Sequence, residues 1–592
     1  MKNFLKLTVL LFVLFLLFSC GGEVSEVKTL NRTVPAKLTP FDPAQISDRY
    51  TTMVLGEICE SLYEYKYTTD TYQLEPAVAQ SMPEVSDDGL IYTIKLRKDA
   101  YFYDPLGEVF PDKQGRPVNA HDFVLSVKRL ADPENKANGW WLYESRIVGL
   151  DEWADEGADY SKEVEGFKAL DDYTIQLTLT APYPQILYTL AMNYTFPLAQ
   201  EAIDYYGPEE FANYPIGTGA YYYDHFESIP GSQHVLLANP AWHGKTFPAA
   251  SEAGPLVTSR LGADVLAEYE GRELPFCDRV IYYVIEESSV QWLKFLNGEL
   301  DASGIPKDNF DSTVINGELT REMVDKEIKL EVNGTLDITY NFFNMNIPLF
   351  RDNPKLRQAM SLAYNHEKVA EIFYNNRCEL AQTLIPPGLG GYDPDYVNPY
   401  AHHDLEKAKV LLAEAGFPNG EGLPVLKYHM SGSSTTHKQM VEFFIESMEE
   451  LGIQIEIIPG DWPSFLEAID SGNIEIGGLA WGADYPDAQN FLQLNYGPNA
   501  APGPNNGNYS NPAFDALYEQ GAYMQQSPER DALYAQAAQM AAEDCPWIMG
   551  VHRQSFGLIH PWLKTRVFRD IGHGYSKYLD VDVEERTQKS GK

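Results

Sequence analysis

Two hydrophobic periods interleave along this 592-residue chain, and that interleaving confines it to a mixed architecture. Tyr92-Thr93-Ile94-Lys95-Leu96-Arg97 and the run Tyr173–Leu179 alternate apolar and polar side chains with period two, the pattern of half-buried strands. Elsewhere the period is helical. Pro354 opens a segment in which Leu356, Ala359, Met360 and Ala363 fall on one face, with proline in the first turn. Asp404 is placed to cap a helix carrying Ala408, Leu411, Leu412 and Ala415, and Gly416 supplies its stop. Strands and helices mixed in this way predict α/β lobes, not a helical bundle or a β-sandwich. The length is several times the ~150-residue prior for one domain, so more than one lobe is expected. No repeat recurs at a fixed period. Residues 246–275, rich in Ala, Gly, Pro and Glu, read as an inserted surface excursion.

Lys and Arg number 45 against 85 Asp and Glu, a formal charge of −40. A surface with that balance has no surplus of cations to neutralise phosphates, so nucleic acid is excluded as a partner. It also disfavours adhesion to anionic lipid. The N-terminus supplies a different route to a membrane. Lys2 and Lys6 precede an apolar run, Leu7–Phe18, of about twelve residues, short of the ~20 that span a bilayer. The run ends in Leu17-Phe18-Ser19-Cys20-Gly21-Gly22, which resembles a bacterial lipobox. We therefore expect a lipoprotein signal peptide over 1–19, lipidation of Cys20 and a polar tether over 20–27. The protein would then be extracytoplasmic, held to a bacterial membrane at one end and otherwise soluble. Of the remaining cysteines, Cys59, Cys277, Cys378 and Cys545, none forms a zinc-type pair. One or two disulfides and four free thiols are both compatible with their spacing.

Motifs of catalysis are missing. There is no HExxH, no GxSxG and no GxxxxGK[ST]. Gly217-Thr218-Gly219 lacks the third glycine of a dinucleotide loop and reads as a tight turn. His402 and His403 are adjacent, and adjacent side chains diverge on regular elements, so no metal site is expected there. No cofactor is called for. A secreted hydrolase using paired carboxylates is the weaker reading.

Phe41-Asp42-Pro43, Glu57-Ile58-Cys59-Glu60-Ser61-Leu62, Leu74-Glu75-Pro76-Ala77-Val78-Ala79 and Pro117-Val118-Asn119-Ala120-His121-Asp122-Phe123 are followed by Gly217-Thr218-Gly219-Ala220-Tyr221 and Asn239-Pro240-Ala241-Trp242. Then come Arg351-Asp352-Asn353-Pro354-Lys355-Leu356-Arg357-Gln358-Ala359 and Trp481-Gly482-Ala483-Asp484-Tyr485-Pro486. In kind and order these blocks resemble the oligopeptide-binding receptors of ABC importers, over roughly residues 30 to 580. The resemblance implies a two-lobed, hinged α/β fold of the periplasmic-binding-protein (Venus flytrap) type, with an additional inserted lobe. Carried onto this chain, lobe I takes 28–59, 196–335 and 555–592, lobe II takes 60–195 and lobe III takes 336–554. The crossings would lie near 335 and 555.

The same resemblance implies the site. Asp484 would hold the ammonium of an oligopeptide, with Trp481, Ala483 and Tyr485 beside it. His437 would read the peptide carboxylate. Arg49, Arg553 and Trp141 would border the groove. The well-known oligopeptide receptors carry an arginine where this chain has Gly478, which weakens the expectation for the shortest peptides. The implied partners are an oligopeptide and an ABC permease, with the protein a monomer. A second reading keeps the fold and changes the ligand to a dipeptide, a murein peptide or a nickel chelate.

Overall fold

The computed structural model describes residues 27–591 except Ser47 and Ser433, together with all but the side chain of Pro463. The expected signal peptide, Cys20 and nearly all of the tether lie outside the described residues. Among the described residues no helix is long and apolar enough to cross a membrane.

Four main sheets carry the chain. The N-terminal strand Thr29–Val34 runs parallel to Arg279–Val284, which continues antiparallel through Gln233–Ala238 to Tyr221–Tyr223. Leu30, Val34, Leu236, Val280 and Tyr282 bury one core there. The segment 246–275 is not the surface excursion its composition suggests. It folds into helices Pro255–Leu261 and Ala263–Tyr269, and Phe247, Leu266, Tyr269 and Leu274 enter that same core. Their apolar side chains outweigh the Gly- and Glu-rich background around them.

A second sheet is built on the long strand Val551–Ile559, paired with Ala302–Gly304 and Lys329–Gly334, and at its start with Cys378–Leu380. A third orders Glu84–Val85, Ile91–Lys95, Thr174–Thr178 and Phe167–Asp171. Tyr92 lies opposite Leu177 and Ile94 opposite Ile175, so the two period-two segments meet face to face. The fourth and largest, five-stranded, has the order Ile455–Ile458, Leu426–His429, Ile476–Gly482, Asp337–Phe343, Trp547–Met549. Helices Pro354–Ala363 and Leu405–Glu414 form as predicted and pack on each other, the first also against Trp547–Met549; Asp404 Oδ1 accepts the Lys407 N–H at 2.9 Å, and Gly416 takes the left-handed φ of +95°.

The chain passes twice between the second and fourth sheets, at Gly334–Asp337 and at Met549–Arg553. The crossings are bonded to each other: Thr335 N–H donates to the Arg553 carbonyl at 3.0 Å, and the Arg553 N–H donates to Asp337 Oδ1 at 2.9 Å. Tyr188, in the short helix Ile186–Thr189, stacks on Tyr485 just beyond the end of strand Ile476–Gly482, with ring centroids 6.0 Å apart. All four described cysteines are free, which decides between the two alternatives the spacing allows.

Arg530, on helix Pro528–Asp544, is 2% exposed and reaches Asp487 Oδ1 at 2.8 Å, the Gly521 carbonyl at 2.9 Å and Gln526 Oε1 at 2.8 Å. Asp487 anchors the turn that follows Asp484 by accepting the Gln489 N–H at 2.8 Å. Arg530→Ala would leave that carboxylate buried and unpaired. We expect a loss of about 3 kcal/mol or more in urea denaturation.

Candidate ligand-binding site

A cavity of about 680 Å³ opens between the lobes, within the range of small-ligand pockets. It is walled by the N-terminal helix Arg49–Ile58, the 191–194 segment, the first crossing and the C-terminal loop 569–575. Asp484 stands in its wall, and the backbone explains why. Strand Ile476–Gly482 pairs antiparallel with Asp337–Phe343 as far as Asp337 opposite Gly482. One residue on, the Ala483 N–H still donates to the Leu336 carbonyl at 2.8 Å. The chain leaves the sheet edge only after that bond, and it leaves it at Asp484.

The Asp484 carboxylate is desolvated and lacks a cation. No basic side chain pairs with it among the described residues. Its Oδ2 accepts from Asn490 Nδ2 at 2.9 Å, and its backbone N–H donates to Asn490 Oδ1 at 3.0 Å. Burial pushes its pKa up to about 6, against the opposing pull of the Asn490 bond. Tyr194, in the same cavity, is pushed up to about 12 by burial and by the charge of Asp484.

Most of the other charges in the cavity wall have partners within the protein. Arg32 lies 3.5 Å from Glu57 and bonds Ser576 Oγ at 2.7 Å. Arg49 Nη2 donates to Asp570 Oδ1 at 3.0 Å, and the other oxygen of Asp570 accepts the Leu336 N–H at 2.9 Å. Arg553 Nε donates to Asp337 Oδ2. Arg569 donates to the carbonyls of Tyr67 and Thr69. Exposure leaves Arg49 (68% of its side chain) and Arg553 (45%) facing solvent in the cleft.

Of the residues expected from sequence, Asp484, Ala483, Arg49, Arg553 and Trp141 line this cavity, and Trp481, Tyr485 and His437 do not. Trp481 packs partly into the lobe core and donates its indole N–H to Asn490 Oδ1 at 3.1 Å. Tyr485 is 1% exposed: a buried phenol needs a partner, and it finds Gln489 while its ring stacks on Tyr188. His437 sits in the first turn of helix Thr435–Glu449, where its N–H donates to the capping Ser434 Oγ at 3.2 Å. Nor is an arginine merely missing at Gly478. A Cβ there would meet the Tyr428 hydroxyl at 2.5 Å, and that hydroxyl bonds Asn341 Oδ1 at 2.7 Å.

Sequence reasoning missed Arg32, Glu57, Tyr194, Asp570 and Asn490. The first four come together only through tertiary folding. Asn490 had no signal of its own, since Asp487, Gln489, Gln493 and Asn495 are polar in the same stretch.

The family model for bacterial extracellular solute-binding proteins, family 5, matches residues 73–503. This chain belongs to that family, and its mixed α/β, two-lobed fold is the family's. It is a binding protein, not an enzyme, which removes the hydrolase reading. Heme-binding protein A of Haemophilus influenzae is 27% identical over 542 residues, covering 89% of this chain and 87% of that protein. The periplasmic oligopeptide-binding protein OppA of Escherichia coli is 25% identical over 573 residues, covering 95% and 94%. Among solved structures, the ABC transporter-associated periplasmic binding protein DppA of Helicobacter pylori, in complex with the peptide STSA, aligns with a TM-score of 0.68 at 25% identity, covering 94% of this chain and 98% of that one.

A carboxyl whose pKa is raised on folding binds its proton more tightly in the native state, so it costs stability as pH rises from about 4 through about 6. Asp484→Asn should therefore raise unfolding free energy by about 2 kcal/mol at pH 7.5 and by little at pH 4. Denaturation curves of both proteins at the two pH values check this.

Proposed function

We propose that this protein captures oligopeptides in the cleft by their N-terminal ammonium and delivers them to an ABC-type permease. The observation that carries the reading is the uncompensated carboxylate of Asp484. Leaving a carboxylate desolvated and unpaired is costly, and a ligand cation removes that cost. At ~4 Å an ammonium gains ~4 kcal/mol from it at an effective dielectric near 20. Relatives named for oligopeptides, and a related structure holding a peptide, support the class of ligand.

The far end of the peptide meets a looser environment. Arg49 and Arg553 are the cations open to it, and the Tyr428–Asn341 pair fills the place where the resembling receptors carry arginine. Trp141, Tyr194, Met53 and Met192 supply apolar and polarisable surface that tolerates varied side chains. Closure follows from ligand contacts to both sides of the cleft, with the bonded crossings at 334–337 and 549–553 as the hinge. On this reading lobe I is 28–59, 196–335 and 555–592, lobe II is 60–195 and lobe III is 336–554. Cys20 is the lipid attachment point, and the receptor works outside the cytoplasm at a bacterial membrane as a monomer.

Titration calorimetry with trialanine and N-acetyl-trialanine tests the amine anchor. Acetylation and Asp484→Ala should each weaken binding by at least ~2 kcal/mol. Trialanine affinity should fall as pH drops through about 6, where Asp484 takes up its proton. Equal binding of the free and acetylated peptides would sink the reading.

A further inference from the structure

The anchor carboxylate is itself held in place, and the residue holding it touches no ligand space. Asn490 is 0% exposed, lies in the short helix Gln489–Leu492 and does not line the cavity. Its backbone is pinned on both sides: its N–H donates to the Asp487 carbonyl at 3.0 Å, and its carbonyl accepts from Gln493 Nε2 at 3.1 Å.

The orientation of its side-chain amide follows from its partners. The Trp481 indole N–H, at 3.1 Å, and the Asp484 backbone N–H, at 3.0 Å, converge on one atom. Both groups can only donate, so that atom must be the amide oxygen. The amide nitrogen is thereby turned to Asp484, where it meets Oδ2 at 2.9 Å. A flipped amide would set its N–H against two donors and its oxygen against a carboxylate. Asn490 thus reads three groups of the Trp481–Asp484 stretch at once.

We infer that Asn490 is the positioning residue of the ligand anchor, fixing Asp484 so that Oδ2 is occupied from behind and Oδ1 is the acceptor left for a ligand ammonium. This rests on the amine-anchor reading and adds to it the group that sets the geometry. An ammonium donates in several directions and would let a free carboxylate swing. With one oxygen committed, the carboxylate offers a single direction of approach, and rotation of the side chain is not lost again on binding.

The same bond bears on the proton. A donor to a carboxylate favours the ionised form, and burial favours the neutral one. The cavity that Asp484 faces also carries Tyr194 in the facing segment, the Arg553–Asp337, Arg49–Asp570 and Arg32–Glu57 pairs, Asp48, Arg569, His573, Tyr65 and Tyr575. The three ion pairs are internally compensated, the phenols are neutral at ordinary pH, and none of these groups is among the causes of the Asp484 shift. Asn490 is the group that holds the ionised form by a hydrogen bond. Removing it should move the midpoint of Asp484 upward from about 6.

Asn490→Leu keeps the branching of the side chain and removes all its polar contacts, and Asn490→Ala is the smaller alternative should the first misfold. With trialanine at pH 7, we expect binding about tenfold weaker or more, the loss of a hydrogen bond to a charged group. The pH at which binding is half-lost should rise, and the effect should be absent with N-acetyl-trialanine. In the unaltered protein, the Asn490 side-chain amide resonance should titrate together with Asp484 and shift when trialanine is added. An unmoved pH midpoint, an equal loss for both peptides, or an amide signal indifferent to pH and peptide would overturn the assignment. If the unaltered protein already bound both peptides alike, it would be the amine anchor that failed, a distinct result.

Discussion

Everything in the cleft depends on the paired crossings between the lobes. A chain passing through the mouth of a binding site exposes backbone groups that neither lobe's sheet can satisfy. Here the two passages satisfy each other, Thr335 donating to Arg553 and Arg553 to Asp337, while His552 bonds the Asp337 carbonyl at 2.7 Å. One residue further, Leu336 gives its N–H to Asp570 and takes the N–H of Ala483. A single residue of the crossing therefore links the C-terminal loop to the strand end before Asp484. Asp484 inherits its place from that link.

The electrostatics follow from the same geometry. A chain with this excess of acid can scatter carboxylates over its surface at little cost, because solvent screens them. Within the cleft the pattern is different. Glu57, Asp337 and Asp570 each stand beside an arginine, and Asp484 stands beside none. An unpaired, desolvated carboxylate is a liability to stability and an asset to binding, the kind of trade a receptor site makes. Its raised pKa expresses that cost, and the Asn490 bond limits it.

The history of individual residues shows how far sequence patterns reach. Asp484 and Ala483, read from a resemblance, stand in the cavity wall because the block containing them folds locally, at the end of one strand. Tyr485 and Trp481, from the same block, turned into packing. Neighbouring side chains leave a strand end in different directions, and two large aromatic groups near a core gain more from burial than from lining a wet cleft. His437 was read from a position in a motif, and its place in the first turn of a helix carries it off the cavity wall. The 246–275 segment misled through composition: a few apolar residues, Phe247, Leu266, Tyr269 and Leu274, decided its fate against many small and acidic ones.

By itself the sequence determined the mixed α/β class, the strands around Tyr92 and Ile175, the helix that proline opens at 354 and the helix that Asp404 caps. Those features depend on period, capping and local order along the chain, which are written in consecutive residues. Tertiary structure alone decided that the cysteines stay apart, that Tyr428 and Asn341 occupy the space over Gly478, and that Arg49 meets Asp570 across 521 residues. It also decided that no cation among the described residues reaches Asp484 while Asn490 grips it from behind. Such facts are distances between remote parts of the chain, and charge compensation or its absence exists only once those parts have come together.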